Sequence, residues 1–142
     1  MKRFTITLSA LTVTGLVAAS ALAGTHAAGK TGTVFIQHEL HGCHAWSANG
    51  SSFSASTSLK LKAGGTVTFT NNDVMPQKLV ELSGAPVRYV GDRALNKPAS
   101  KVRVTFSKPG RYVFGTKPGE DYTKGIKTIG EDNVLKLVVT VL

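Results

Sequence analysis

The feature that most constrains the fold is a series of short β-type segments separated by turn residues. Residues 66–70 and 102–106 alternate apolar and polar side chains, and this period of two is typical of half-buried strands. Pairs such as Gly64-Gly65 and Pro109-Gly110 divide the segments, because glycine and proline favour turns. The expected strands are residues 33–37, 53–62, 66–70, 78–82, 87–90, 102–106, 111–114 and 134–142, the last of them buried on both faces. This pattern, without a long amphipathic helix, predicts an all-β sandwich.

The first 23 residues are typical of a secretory signal peptide. Met1-Lys2-Arg3 is basic, residues 4–21 are mostly apolar and uncharged, and Ala21-Leu22-Ala23 forms a small-x-small cleavage motif. A transmembrane anchor is the competing interpretation, but the segment is rich in Thr, Ser, Gly and Ala and ends in that motif. We predict export to the periplasm or secretion, with cleavage after Ala23 or Ala28 and no membrane anchor afterwards. Residues 24–32 are then a flexible arm, and residues 33–142 form one domain.

The chain is basic. Its 17 lysines and arginines outnumber eight acidic residues, which gives a formal net charge of +9. Removal of the signal peptide would take away Lys2 and Arg3 and leave a charge of +7. Such a chain favours partners with an acidic surface. It has no arginine-rich run and no basic stripe with interleaved aromatic residues, so nucleic acid is not an expected partner.

Residues 38–46 concentrate side chains that bind soft and borderline metals. The segment HELHGCHAW holds three of the four histidines, the only cysteine and the only tryptophan. Imidazole and thiolate suit copper, zinc or haem iron. A lone cysteine in an exported chain can form no internal disulfide, so a metal would account for it. We therefore predict a copper site whose ligands come from His38, His41, Cys43 and His44.

Three alternatives remain open for this segment. Zinc takes the same donors. Haem is the second, because residues 40–44 match the attachment motif Cys-x-x-Cys-His with Leu40 in place of the first cysteine, which would leave Cys43 as a single thioether and His44 as an axial ligand. The third is a metal-free binding module, in which Cys43 is a small buried side chain under Trp46 and the histidines are on the surface.

Two segments resemble the cupredoxins, the blue-copper proteins. They are residues 61–73 (LKAGGTVTFTNND) and 104–114 (VTFSKPGRYVF), followed by a loop and a valine-rich last strand. The resemblance covers most of the domain and implies a Greek-key, cupredoxin-like β-sandwich of about seven or eight strands.

The usual copper ligands of that family are missing. Gln77 stands after Pro76 where the family usually has a histidine, and Gly115 follows Phe114 where it usually has a cysteine. Residues 115–142 contain no Cys, His or Met. The resemblance nevertheless implies that the first strand and residues 66–70 are parallel and end at the pole where the family holds copper. Residues 38–46 would then lie beside Met75, a further thioether ligand.

These observations predict an exported copper-binding protein that transfers electrons or handles copper. Its expected partner is a redox or copper-donor protein. Serines 51, 52 and 54 lie near the histidines, but no nucleophile-elbow glycine pattern surrounds them, so we do not expect an enzyme.

Overall fold

The computed structural model of the chain describes residues 28–39, 43–118 and 135–142. Within these ranges the chain forms nine strands and no helix, and hence no helix that could cross a membrane. The strands are β1 (Gly29–Glu39), β2 (Cys43–Ala48), β3 (Ser56–Asn71), β4 (Gln77–Ser83), β5 (Arg88–Val90), β6 (Ala94–Leu95), β7 (Ser100–Thr105), β8 (Gly110–Pro118) and β9 (Lys136–Val141). The predicted signal peptide and the Ala23 cleavage site lie outside the described residues. Strand β1 begins at Gly29, so the last part of the predicted arm belongs to the sheet.

Strand β3 belongs to both layers of the structure. Residues 56–61 pair with β9 in parallel, whereas residues 66–71 pair with β1 in parallel and with β7 in antiparallel orientation. One layer therefore has the order β2-β1-β3-β7-β5, and the other has the order β3-β9-β8-β4-β6. The predicted all-β architecture is confirmed.

Two glycines bend β3 where it passes between the layers. Gly64 has a φ of 73°, a conformation that side chains with a Cβ rarely adopt. A Cβ on Gly65 would lie 2.8 Å from the carbonyl oxygen of Lys62 and 3.0 Å from that of Lys30. The sequence predicts a turn here between two strands, but the bend is gentle enough for the backbone to continue as one strand.

The core lies between the two layers and follows from the alternation of apolar residues. Its largest fully buried side chains are Trp46, Tyr112, Phe69, Phe106 and Phe114. In β9, Leu137, Val139 and Val141 are buried, whereas Val138 and Thr140 are only half-buried. The last strand is therefore fully buried on one face and not on both, because nothing in the described chain covers its outer face completely.

Strands β1 and β3 end together, as the family resemblance implies. Their parallel pairing brings Ile36 opposite Asn71, and the backbone N–H of Asn72 donates a hydrogen bond of 2.8 Å to the carbonyl of Ile36. The loop of residues 72–76 therefore starts beside the end of β1. The structure thus places His38, the first histidine of residues 38–46, next to this loop.

Residues 43–48 form a hairpin strand that is not among those expected from the sequence. Strand β2 runs antiparallel to β1 from Cys43 to Ala48 and forms an edge of its layer. It ends in a turn at Asn49-Gly50, with φ values of 50° and 78°. Pairing with β1 keeps β2 extended although most of its residues other than Trp46 are small or polar.

Candidate metal centre

The end of the β1–β2 hairpin carries a pair of histidines. His38 and His44 are direct cross-strand partners, and their ring centroids lie 5.9 Å apart in an edge-to-face arrangement. Ile36 and Trp46 form the pair two residues further into the hairpin, and both are fully buried. Because side chains alternate along a strand, the histidine pair continues the inward-facing side of the hairpin beyond the apolar core.

The loop after β3 supplies a carboxylate at the same place. Asn71 is fully buried, and its amide nitrogen donates to the carbonyls of Met75 (2.9 Å) and Leu95 (2.8 Å). Its Oδ1 accepts a hydrogen bond from the backbone N–H of Asp73 at 3.0 Å. Asp73 Oδ1 in turn accepts from the N–H of Met75 at 2.9 Å. These Asx turns fix the loop, and they fix the orientation of the Asp73 carboxylate with it.

The second oxygen of this carboxylate faces the two imidazoles. Asp73 Oδ2 lies 3.0 Å from Nε2 of His44 and 4.0 Å from Nδ1 of His38. The side chains of His44 and Asp73 are 2% and 0% exposed, whereas that of His38 is 56% exposed. Two donors are thus held rigidly inside the protein, and the third is close to solvent.

The separation between two of these donors fits ligands that share one metal ion. The ligand atoms of His38, His44 and Asp73 all lie within 4.8 Å of one another. Donors bound at about 2.1 Å are about 3.0 Å apart at a right angle and about 4.2 Å apart when opposite. The contact between His44 and Asp73 matches the first value. His38 is exposed enough to rotate and close the remaining gap.

The Asp73 carboxylate would interact directly with a cation held at this place. Its Oδ2 is buried and lies 3.0 Å from Nε2 of His44. Removing a carboxylate from water is costly unless hydrogen bonds or an opposite charge compensate for it. A cation between the carboxylate and the imidazoles would provide such a charge.

A pocket opens beside two of the three donors. It has a volume of about 350 Å³ and is lined by Gln37, His38, Asn72, Asp73, Val74 and Met75. Val74 is 81% exposed at its rim. The candidate centre is therefore accessible to molecules from solvent on the side of the loop that follows β3.

The structure brings together some of the ligands predicted from sequence. His38 and His44 converge, and Met75 lines the pocket beside His38. Cys43 is the first residue of β2, opposite Glu39 and next to His44 in the chain; its side chain is outside the described part of the structure. His41 lies outside the described residues altogether, so its role and that of Cys43 stay predictions.

Asp73 is the donor that sequence reasoning missed. In the sequence, Asn71-Asn72-Asp73 has the composition of an ordinary turn at the end of a strand. The signal that points to Asp73 is its place two residues after β3, at the end of a strand parallel to the one that leads into His38. Gln77 lies where the cupredoxins, which the sequence resembles, usually have a histidine; it is buried at the start of β4 and is not among the three converging donors.

A second polar cluster lies away from this centre. Burial raises the pKa of the Glu81 carboxyl above its ordinary value, and the positive charge of Arg93 partly opposes this. Burial, followed by the charge of Glu81, raises the pKa of Tyr89. The Arg93 guanidinium lies 5.0 Å from the centroid of the Tyr89 ring, a cation–π contact.

Comparison with known proteins gives fold similarity only. No protein-family profile matches the sequence, and no curated protein matches it. The structure is similar to amicyanin from Paracoccus versutus, with 19% identity over 78% of this chain and 81% of that one and a TM-score of 0.44. It is also similar to a purple cupredoxin from Nitrosopumilus maritimus, with 17% identity over 78% of this chain and 98% of that one and a TM-score of 0.46. The chain is thus similar in structure to cupredoxins, as its sequence resemblance predicts.

Proposed function

We propose that this chain is an exported copper-binding protein whose metal is held by His38, His44 and Asp73, and that it handles copper or transfers electrons. The observation that supports this most is the convergence of two imidazoles on a buried carboxylate oxygen at one end of the sandwich. Copper, when bound, supplies a one-electron couple at a site that the β-sheet keeps fixed.

Copper is the first choice because imidazole, together with a thiolate if Cys43 contributes one, suits a soft or borderline ion. Zinc takes the same donors and is the alternative. Haem fits less well, because its iron already has four ring nitrogens and takes few protein ligands.

The three residues have different tasks in this proposal. Asp73 provides the charge and is held in place by the hydrogen bonds of its own loop. His44 is buried against Asp73 and forms the fixed half of the site. His38 is exposed and completes the site from the solvent side, so that it is the ligand through which copper would enter or leave.

His41, Cys43 and Met75 are proposed as additional donors. Cys43 is adjacent to His44 in β2, and His41 belongs to the connection between β1 and β2. A thiolate ligand would give a blue-copper type of centre, and Met75 would then be a weak axial ligand. Export would bring the basic chain to a redox or copper-donor partner with an acidic surface.

Metal content and tryptophan fluorescence together test the proposal. Trp46 is the only tryptophan of the chain and lies two residues from His44 on the same face of β2, about 7 Å away. Bound Cu(II) should therefore quench its emission in proportion to occupancy. We expect one copper per chain and saturable quenching, measured on protein isolated from the exported fraction.

A matched pair of variants separates this site from adventitious binding. Asp73→Asn keeps an Oδ1 acceptor for the Met75 N–H but removes the charge, and it should abolish tight copper binding. Asp92→Asn is the control, because Asp92 Oδ1 accepts from the N–H of Ala94 at 2.9 Å in the same kind of turn at an exposed place. If both variants bind copper as the parent does, the proposed centre is wrong.

The mass of the exported chain tests the localisation. Cleavage at the predicted sites would make Gly24 or Gly29 the first residue. A chain that keeps Met1 and stays in the membrane would contradict export.

A further inference from the structure

We propose that the outer face of one layer binds reversibly to a lipid surface rich in anionic headgroups. This basic face consists of the outward-pointing side chains of residues 56–61 of β3 and of strands β9, β8 and β4. Such binding needs no metal and no chemical step, and so it goes beyond the proposed function.

The alternation of side chains defines which residues belong to the basic face. In β8, Tyr112 and Phe114 are buried in the core. The alternate positions, Arg111, Val113 and Lys117, therefore point outward. Directly paired residues of neighbouring strands share one face of a sheet, so the ladders of β8 with β9 and β4, and of β9 with β3, extend this assignment across the layer.

Five cations lie on the basic face, and they come from all four of its strands. They are Lys60, Lys78, Arg111, Lys117 and Lys136, of which all but Lys78 are exposed. Glu81 is the one acidic residue in these strand segments. It pairs with Phe114 and therefore faces the interior, so the basic face carries cations and no carboxylate.

An apolar strip lies between these cations. Val113 pairs with Val138 of β9, and Val80 of β4 pairs with Gly115 of β8. The side chain of Leu82 lies over Gly115, since a Cβ on that glycine would be 3.1 Å from Cδ1 of Leu82. Leu82 is 59% exposed. An exposed apolar group with a polar border is typical of a surface that binds a partner or a membrane.

The basic face suits a plane of headgroups better than a partner protein. Val113 is 5% exposed, and Val80 and Val138 are half-buried, so this part of the described surface lacks the recess in which a protein interface usually buries an anchor side chain. Leu82 protrudes and is suited to enter the headgroup region, as apolar side chains of peripheral proteins do.

The charge of the face is complementary to such a lipid surface. Each lysine or arginine close to an anionic membrane raises the affinity about fivefold. Four neighbouring strands span only about 14 Å, so the cations of this layer reach one membrane surface together. Their combined attraction is large enough for reversible binding without a lipid anchor.

Flotation with vesicles measures this binding. The metal-free chain is isolated from the exported fraction, so that an uncleaved signal peptide does not itself bind lipid. It is mixed with vesicles of equal parts phosphatidylglycerol and phosphatidylcholine. We expect saturable binding that weakens as salt is raised, because salt screens the charges. Vesicles of phosphatidylcholine alone should bind little of the chain.

Two variants test the two components of the basic face. Arg111→Glu reverses one charge and should lower the affinity for the anionic vesicles at least about tenfold. Leu82→Ser keeps the charge and should lower this affinity about fivefold, because it removes the protruding apolar group. Circular dichroism shows whether each variant is folded.

The other layer provides a matched control for each variant. Val90 is 47% exposed on β5 and pairs with Arg103 of β7. Both residues face outward, because their chain neighbours Tyr89 and Val104 pack against the core. Arg103→Glu makes the same change in net charge as Arg111→Glu, and Val90→Ser removes a similar exposed apolar side chain.

These controls act at a distance from the basic face. Packed sheets lie about 10 Å apart, and the Debye length at about 0.1 M salt is about 10 Å, so neither control should weaken vesicle binding more than about twofold. A control that loses as much affinity as its counterpart on the basic face would overturn the proposal, since net charge or general hydrophobicity would then explain the binding.

Other occupants of the face give different results. If polyglutamate binds with the same dependence on Leu82 and Arg111 while vesicles do not bind, the face fits an acidic protein and the lipid proposal is wrong. It is also wrong if vesicles bind only after the four acidic residues of segment 119–134 are replaced by their amides, because the occupant would then be the chain itself. A folded parent that binds neither probe overturns it as well. Each of these results leaves the copper proposal intact, because the protein tested is metal-free.

Discussion

Nε2 of His44 lies 3.0 Å from Oδ2 of Asp73, and both side chains are almost completely shielded from solvent. The two residues come from separate elements, a hairpin strand and the loop after β3. They meet because β1 lies parallel to β3, which places the end of the β1–β2 hairpin beside that loop. The contact exists in the metal-free protein and does not depend on a bound ion.

The two histidines should respond differently to truncation. His44→Ala removes the buried neighbour of a buried carboxylate and should cost about 1–3 kcal/mol of stability as well as copper binding. His38→Ala removes an exposed side chain and should lose copper affinity with little effect on stability. Urea unfolding of the metal-free protein and copper titration separate the two effects. Equal destabilisation by both variants would contradict this assignment of a fixed and an exposed ligand.

The contribution of Cys43 can be measured by its thiolate signature. If Cys43 is a ligand, the copper-loaded parent has an intense thiolate-to-Cu(II) absorption that disappears on reduction, and Cys43→Ser lacks it and binds copper weakly. Met75→Leu should mainly shift the reduction potential, as loss of a weak axial ligand does. Gln77→Ala is the control, because Gln77 is buried at the start of β4 and is not proposed as a ligand. This variant should leave the absorption spectrum of the copper-loaded protein unchanged. Unaltered copper binding with lower stability in Cys43→Ser would instead make Cys43 a packing residue.

Asn71 should be needed for the site although it is not proposed as a ligand. Asn71→Ala leaves the carbonyls of Met75 and Leu95 and the N–H of Asp73 without their side-chain partner, at a cost of about 1–3 kcal/mol for each group that stays buried. We expect a lower melting temperature and weaker copper binding together. Asn72→Ala is the control, because the hydrogen bond of Asn72 to Ile36 uses its backbone; it should keep the stability of the parent.

Glu81 should make stability depend on pH. Because burial raises the pKa of its carboxyl in the folded state above the ordinary 4.5, the folded state holds the proton more tightly than the unfolded chain does. Its favourable contribution is therefore fully present below pH 4.5 and is lost as the pH rises through the folded-state pKa. Glu81→Gln should match the parent at acid pH and have a higher melting temperature at neutral pH.

Arg93→Gln should act in the opposite direction. It removes the charge that opposes the shift at Glu81, so the loss of stability between acid and neutral pH should become larger. The melting temperatures of the metal-free parent and of both variants, measured from acid to neutral pH, test these expectations. A parallel pH dependence in parent and Glu81→Gln would contradict the assignment.

Much of the fold could be predicted because alternation of apolar and polar residues reports one buried face. Residues 66–70 lie in β3 and residues 102–105 lie in β7, as examples. Strand β2 could not be predicted this way, since the residues around Trp46 are small or polar and are kept extended by pairing with β1. The continuity of β3 was hidden by Gly64-Gly65, because a pair of glycines looks the same in sequence whether it turns a chain back or only bends it.

The two histidines of the candidate site could be predicted from the sequence, but its carboxylate could not. His38 and His44 belong to a segment whose composition already indicates a metal, and their equal parity agrees with the cross-strand pair observed. Asp73 could not be identified from composition, because aspartate after asparagine is ordinary turn chemistry. Its position beside the histidines depends on its burial and on the pairing of β1 with β3, which are distant in sequence. A local sequence pattern indicates neither of these.

The position of β9 sets the order in which the molecule can fold. This strand lies between the first half of β3 and β8, so one layer has a gap at its centre until β9 has paired. Pairings so distant in sequence slow folding, because loop closure comes before the contacts that compensate for it. We therefore expect the pairing of β9 to be a late step, which closes this layer over a core whose other strands are already in place.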